Sequence, residues 1–180
     1  MRTIVVVDYD PGWPEAFEQV RERVWPAIRD FALAMEHVGS TSVTGLAAKP
    51  IIDISIVARE DADVPEAIER LKTLGYVHRG NLGIGGREAF DSPDGPPEHH
   101  LYLCPPNSPG LANHLAVRDY LRTHPREATE YGELKKRLAR EFPYDIDNYI
   151  AGKTGMLLRI LRVAGFTAEK LEAIDRANRK

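Results

Sequence analysis

The chain has 180 residues, of which 43% are hydrophobic and 28% charged, and it carries a formal charge of -3. That is the size and composition of one globular domain, large enough to bury roughly two thirds of its unfolded surface without a staple. The slight acidic excess argues against coating nucleic acid by bulk electrostatics, the single cysteine, Cys104, excludes a disulfide framework or a cysteine zinc site, and no apolar run is long enough to cross a bilayer.

The run from Thr3 to Val7 is β-branched, lacks signal-peptide architecture and reads as an edge strand. Cytoplasmic residence is therefore the expectation. Asp10-Pro11-Gly12 marks a turn, and Pro14 suits the first turn of a helix. Phe17, Val20, Val24, Ile28 and Phe31 then recur at helical spacing, which predicts a helix over 14–33, kinked or split at Pro26. Ala34 to Val38 reads as a short strand leading into the small-residue turn Gly39-Ser40-Thr41-Ser42. A short helical turn is expected over 43–48.

Residues 50–59 (PIIDISIVAR) form the clearest strand, nearly continuous in apolar residues, as a central strand covered on both faces should be. A helix begins at Asp63 or Val64 and ends at Gly75. After Tyr76 to His78 comes the glycine-rich loop 80–86, read as a hairpin loop or a lid. Arg87 to Asp91 and His99 to Cys104 are two further strands joined by a Pro/Asp/Gly turn. Helices follow over about 112–123, 126–141, 146–164 and 168–178. No linker separates two domains, so residues 1–180 are expected to form one domain. The predicted class is α/β (α+β), a mixed β-sheet with an N-terminal helix and a helical C-terminal half.

The most informative segment is 36–58, EHVGSTSVTGLAAKPIIDISIVA. Gly39 lets the backbone approach a ligand, and a helix beginning just after it would point free N–H groups at a phosphate. Ser40, Thr41 and Ser42 add hydroxyls. Asp53 interrupts a greasy strand, and a carboxylate buried there is costly unless it meets a metal, a cation or several donors. The plainer alternatives are an ordinary turn with a serine cap, and a strand-end carboxylate paired with a lysine or arginine.

Four cations are candidate ligand contacts. Lys153 lies three residues after Ile150 and four after Tyr149, near the buried stripe of its helix, where it reaches an anion or snorkels to solvent. His114 and Arg118 share a helix face, and Arg118 either clamps a phosphate or pairs with Asp119 or a carboxylate from another element. Arg87 opens a strand toward the same cleft, and Lys49, extended before Pro50, sits at its mouth. Lys135-Lys136-Arg137 with Arg140 reads as a solvated helix face or a local basic patch. Gly152-Lys153-Thr154 echoes a phosphate-binding loop, yet it lies inside a helix and has Asp147 where that motif needs a glycine.

Residues 37–43 (HVGSTSV), Gly45-Leu46 and residues 48–54 (AKPIIDI) resemble the signature of the GrpB family, a branch of the nucleotidyltransferase superfamily. The resemblance continues at Arg87, Phe90, His100, residues 114–122 (HLAVRDYLR), Tyr131, Leu134-Lys135, Tyr149 and Lys153. It implies a nucleotidyltransferase-like fold. In that superfamily the Gly-Ser turn, here Gly39 and Ser40 with Thr41, holds a nucleotide's phosphates. Carboxylates on the next strands, here Asp53, hold magnesium, which polarises the phosphate under attack. The candidate phosphate contacts beside that turn are Lys49, Arg87, Arg118 and Lys153, with Ser55, His100, His114 and Tyr149 in support.

The chain departs from that pattern in its acids. Ser55 stands two positions after Asp53, where a second carboxylate facing the same side is expected. The later strand offers His100 or Tyr102 where a third is expected. Two functions therefore stand side by side. One is a protein that binds a nucleotide or other phosphate-bearing small molecule, with magnesium as cofactor and nucleotidyl transfer as activity. The other is a catalytically silent ligand-binding or interaction domain on the same fold, with a protein partner. Nucleic acid and membrane are not expected partners.

Overall fold

The computed structural model describes residues 3–178. Helix α1 (Trp13–Ile28) leads into β1 (Ala32–Val38), a 3-10 turn at Ser40–Ser42 and β2 (Ile52–Ala58). Helix α2 (Val64–Thr73), β3 (Val77–His78), β4 (Glu88–Asp91) and β5 (His99–Cys104) complete the sheet. Four helices come next: α3 (Pro109–Thr123), α4 (Pro125–Glu141), α5 (Ile146–Val163) and α6 (Ala168–Asn178). The sheet order is β1-β2-β5-β4-β3. Only β2 and β5 run parallel; the other neighbours are antiparallel, so the sheet is mixed.

Strand alternation gives the sheet two unlike faces. Ile52, Ile54, Ile56 and Ala58 point to one side, where Leu101 and Leu103 of β5 and Met35 of β1 join them. Trp13, Phe17, Val20, Val24 and Ile28 of α1 and Ala67 and Leu71 of α2 cover that face and complete the main core. The intervening residues Asp53 and Ser55 point to the other side, in register with His100 and Tyr102 of β5. The C-terminal helices lie over that second face, where Val43 and Leu46 pack with Leu121, Tyr131 and Ile160.

Three local expectations are corrected. Helix α1 stops at Ile28, short of residue 33, because Pro26 supplies no N–H to the preceding turn and the strand captures the residues just beyond. Ala32 already pairs with Ala58, and Arg59 N–H donates to the Phe31 carbonyl at 2.9 Å. The segment 4–7 is no edge strand of the sheet. It makes a single bridge from Val7 to Ala48, and its Ile4 is buried against Leu138, Ala139 and Tyr149. No helix forms over 43–48: Val43 is extended, and Gly45, at a φ of 80°, sits instead in a tight turn in which Leu46 N–H donates to the Val43 carbonyl at 3.1 Å. The helical ends elsewhere lie within about three residues of expectation, α3 starting earlier at Pro109 with its Leu111 N–H held by the Ser108 hydroxyl. No helix among the described residues is long and apolar enough to cross a membrane.

Candidate functional site

The bend after β1 and the carboxylate on β2 are in direct contact. Val38 pairs with Asp53, so Gly39 turns away from the strand immediately beside that side chain. Gly39 has a φ of 68°, and a Cβ placed on it would lie 2.8 Å from the Asp53 Cβ and 2.9 Å from its Cγ. Glycine is required here on two counts, conformation and space.

The turn itself is held from behind. The Ser42 hydroxyl donates to the Gly39 carbonyl at 2.6 Å, and Arg122 of α3 donates twice to the Ser42 carbonyl, at 3.0 and 2.9 Å. Thr41 is buried, its hydroxyl 3.0 Å from His37 Nε2 and 3.5 Å from the Ile51 carbonyl. His37 in turn stacks on Phe17, ring centroids 5.0 Å apart. Of the three hydroxyls in the turn, Ser40 is the one that meets a cation. Lys135 of α4, only 2% exposed, donates from Nζ to Ser40 Oγ at 2.7 Å and lies 4.6 Å from the centre of the Tyr131 ring.

Two adjoining cavities meet at this point. One, of about 230 Å³, is lined by Gly39, Ser40, Asp53, Arg87, Tyr102, His114 and Lys153. The other, of about 240 Å³, is lined by Ser40, Thr41, Lys49, Asp53, His100, Lys135, Tyr149 and Lys153. They share Ser40, Asp53, Tyr102 and Lys153, so they are two arms of one cleft centred on the carboxylate.

The electrostatics of the cleft are set by burial and by crowding of like charge. Burial pushes the Lys135 ammonium well below its usual range, with Lys153 and Lys49 adding repulsion against the pull of Asp53. Burial likewise brings Lys153 down to about 8, with Lys49 again adding to the shift and Asp53 opposing it. Burial alone would raise the Asp53 carboxyl. The His100 hydrogen bond, with the charges of His100, His114 and Lys153, outweighs it and holds the group below the usual carboxylate range. Asp53 is therefore ionised and only accepts, so His100 donates from Nδ1 to Asp53 Oδ1 at 3.0 Å.

Behind the carboxylate, Ser55 is fully buried and its hydroxyl is 2.9 Å from His114 Nδ1. Burial and the neighbouring Arg87, opposed by Asp53, lower His114 to about 4, so the ring is neutral near pH 7. Arg87 lies over the Tyr102 ring at 4.7 Å, and its buried Nε has no hydrogen-bond partner among the described residues.

The structure thus brings Gly39, Ser40, Thr41, Lys49, Asp53, Arg87, His100, His114, Tyr149 and Lys153 to one cleft. Lys153 sits 5.5 Å from the Tyr149 ring centre. Arg118 is not among them. It donates to Glu36 Oε2 at 2.6 Å, to Asp119 Oδ1 at 2.7 Å and to the His37 carbonyl at 3.2 Å, so it ties α3 to β1 and does not line the cleft. Sequence reasoning missed Lys135 as a cleft residue, reading it as part of a solvated helix face or a local basic patch. Ala128, Tyr131, Lys135 and Leu138 succeed one another at spacings of three and four and are all buried. That stripe was the available signal.

Magnesium prefers an all-oxygen shell with several waters. Asp53 supplies one carboxylate already engaged by His100, Ser55 is sealed against His114, and no group of three or more His, Cys, Asp or Glu with metal-holding geometry occurs among the described residues. The donor set does not fit magnesium.

The mixed sheet, apolar-packed on one face and carrying a polar cleft under C-terminal helices on the other, is nucleotidyltransferase-like in fold. The structure of Cid1 in complex with its short product ApU matches it with a TM-score of 0.57 over 85% of this chain and 49% of that one, at 14% identity, a likeness of fold. The chain belongs to the GrpB family: the family model described as GrpB protein matches residues 3–162. The crystal structure of conserved protein GrpB from Enterococcus faecalis shares 35% identity and a TM-score of 0.77, covering 96% of this chain and 98% of that one. The UPF0157 protein YqkA of Bacillus subtilis (strain 168) is 39% identical over 152 residues, which cover 84% of this chain and 44% of YqkA. The chain therefore spans less than half the length of that relative.

Proposed function

We propose that the cleft binds the phosphate of a small molecule, a nucleotide in the first instance. The observation that carries this reading is the buried Lys135 ammonium held against Ser40, with Lys153 and Lys49 beside it and a single carboxylate to balance all three. A buried cation is costly unless it is compensated. Asp53 meets only part of that need, and a phosphate seated on the Gly39-Ser40 turn would supply the rest through charge-assisted hydrogen bonds. Arg87, at the other arm of the cleft, extends the same attraction. The nucleotidyltransferase-like fold supports the choice of a nucleotide.

The test is calorimetric titration with nucleoside triphosphates and with inorganic triphosphate, each in the presence and absence of magnesium. Binding that persists without magnesium, and falls in Lys135→Met and Lys153→Met, is the expected result. No binding by any of these probes overturns the reading.

The donor set around Asp53 favours binding without metal-dependent transfer, as in a silent ligand-binding domain. Asp53→Asn separates the two. A transferase needs the carboxylate and loses turnover, whereas a silent anion site keeps its phosphate affinity or gains it when the negative charge is removed.

A further inference from the structure

A third cavity opens from the first arm of the cleft. It has a volume of about 430 Å³ and lies between the glycine-rich loop 80–86, the start of α3 and helix α6. Ile84, Asn113, Ile174 and Asn178 line both this groove and the Asp53–Arg87 arm, so the two are continuous. Their chemistry differs. The arm presents Arg87, Lys153 and Asp53, while the groove is walled mainly by Ile84, Pro109, Phe166, Ala173 and Ile174, with Glu169 and Lys170 also lining it.

We infer that this groove is the subsite for the planar heterocyclic base of a nucleotide whose phosphates occupy the lysine-lined cleft. The inference rests on the phosphate reading above and narrows it from any phosphorylated small molecule to a nucleotide. Three observations carry it. The groove is continuous with the cation-lined arm, so one molecule spans both. Its volume lies within the roughly 300–1,000 Å³ of ordinary ligand pockets. Apolar side chains of Ile84 and Ile174 wall it, which suits the faces of a flat ring, while the amides of Asn113 and Asn178 engage no other group among the described residues. An unengaged amide offers one acceptor and two donors, the complement of a base edge, whereas an alkyl chain would leave both amides facing hydrocarbon. Helix α6 lies beyond residues 3–162 matched by the family model, so this wall is not part of the matched segment.

The experiment compares inorganic triphosphate with ATP, GTP, CTP and UTP by calorimetry on the full chain and on its Ala173→Trp and Phe166→Ala variants, two positions that line the groove and neither arm of the phosphate cleft. The expected result is that at least one nucleotide binds tenfold or more tighter than triphosphate. Ala173→Trp, which fills the groove, should bring that nucleotide to within about twofold of triphosphate, Phe166→Ala should weaken it severalfold, and triphosphate affinity should stay unchanged in both. Circular dichroism melts confirm that each variant is folded, and Phe166→Ala, outside α6, keeps the test valid if Ala173→Trp is not. Nucleotides that bind no tighter than triphosphate, or an advantage that survives both substitutions, overturn the base subsite and leave the phosphate site standing. Failure of triphosphate and nucleotides alike removes the phosphate reading and this inference with it.

Discussion

The two faces of the sheet share the same strands and obey opposite rules. On the α1 side, Ile54, Ile56, Leu101 and Leu103 are fully buried, and the task of these four side chains is exclusion of water. One residue along, Asp53, Ser55, His100 and Tyr102 turn to the α4–α5 side, where every polar group is matched to a particular partner or faces the cleft. The difference teaches where tolerance lies. The apolar face should answer to volume and the polar face to charge and hydrogen bonding, although neighbouring residues of one strand supply both.

Substitutions can break or sharpen that contrast. The largest effect should come from the apolar face: Leu101→Ala is expected to cost about 2–5 kcal/mol of stability in urea melts, with little change in phosphate affinity once the folded fraction is considered. Gly39→Ala comes next, since it meets both a disfavoured φ and the Asp53 side chain; about 1–3 kcal/mol is expected, accompanied by loss of phosphate binding. Lys135→Met should do the reverse of Leu101→Ala. Replacing a buried cation by a residue of similar shape leaves the melting temperature level or higher, while phosphate affinity falls by about tenfold or more.

A pH titration sharpens the contrast further. Lys153 titrates at about 8 in the folded chain and near the ordinary lysine value when unfolded. Between those values the unfolded state binds more protons, so this lysine's penalty on the fold is complete below about 8 and is relieved as pH rises beyond it. Phosphate affinity should move the opposite way over the same window, falling as the ammonium is lost. Lys153→Met should abolish both trends, measured as the difference in melting temperature and in binding constant between the two chains. The smallest effect belongs to Lys136, whose ammonium reaches Asp8 at 2.6 Å and Glu133 at 3.0 Å on the surface. Lys136→Ala should leave phosphate binding within about twofold, one residue from the substitution that removes it.

Much of this was legible in the residue pattern. The apolar strand interrupted by Asp53, the glycine bend before it and the helical C-terminal half all emerge from local periodicity and turn chemistry. The stop of α1 at Ile28 did not, because it depends on Ala32 finding Ala58 across the sheet. Arg118 had two open readings, and only the position of Glu36, 82 residues away, decided between them. The Ser55–His114 contact spans 59 residues and has no local signature. Lys135 is the instructive miss. Its neighbours Lys136 and Arg137 gave it the look of a solvated run, and the helical stripe of Ala128, Tyr131 and Leu138, which places it inside, was the stronger signal.

The parallel pairing of β2 with β5 also governs the order in which a nascent chain acquires its parts. Asp53 waits 47 residues for His100, because a parallel neighbour requires the crossover through α2, β3 and β4 to be complete. Lys135 and Lys153 emerge later still. In chain order the acid–imidazole pair is therefore complete before either inward-facing amine, and a chain halted after β5 would carry Asp53 and His100 without the lysines that close over them.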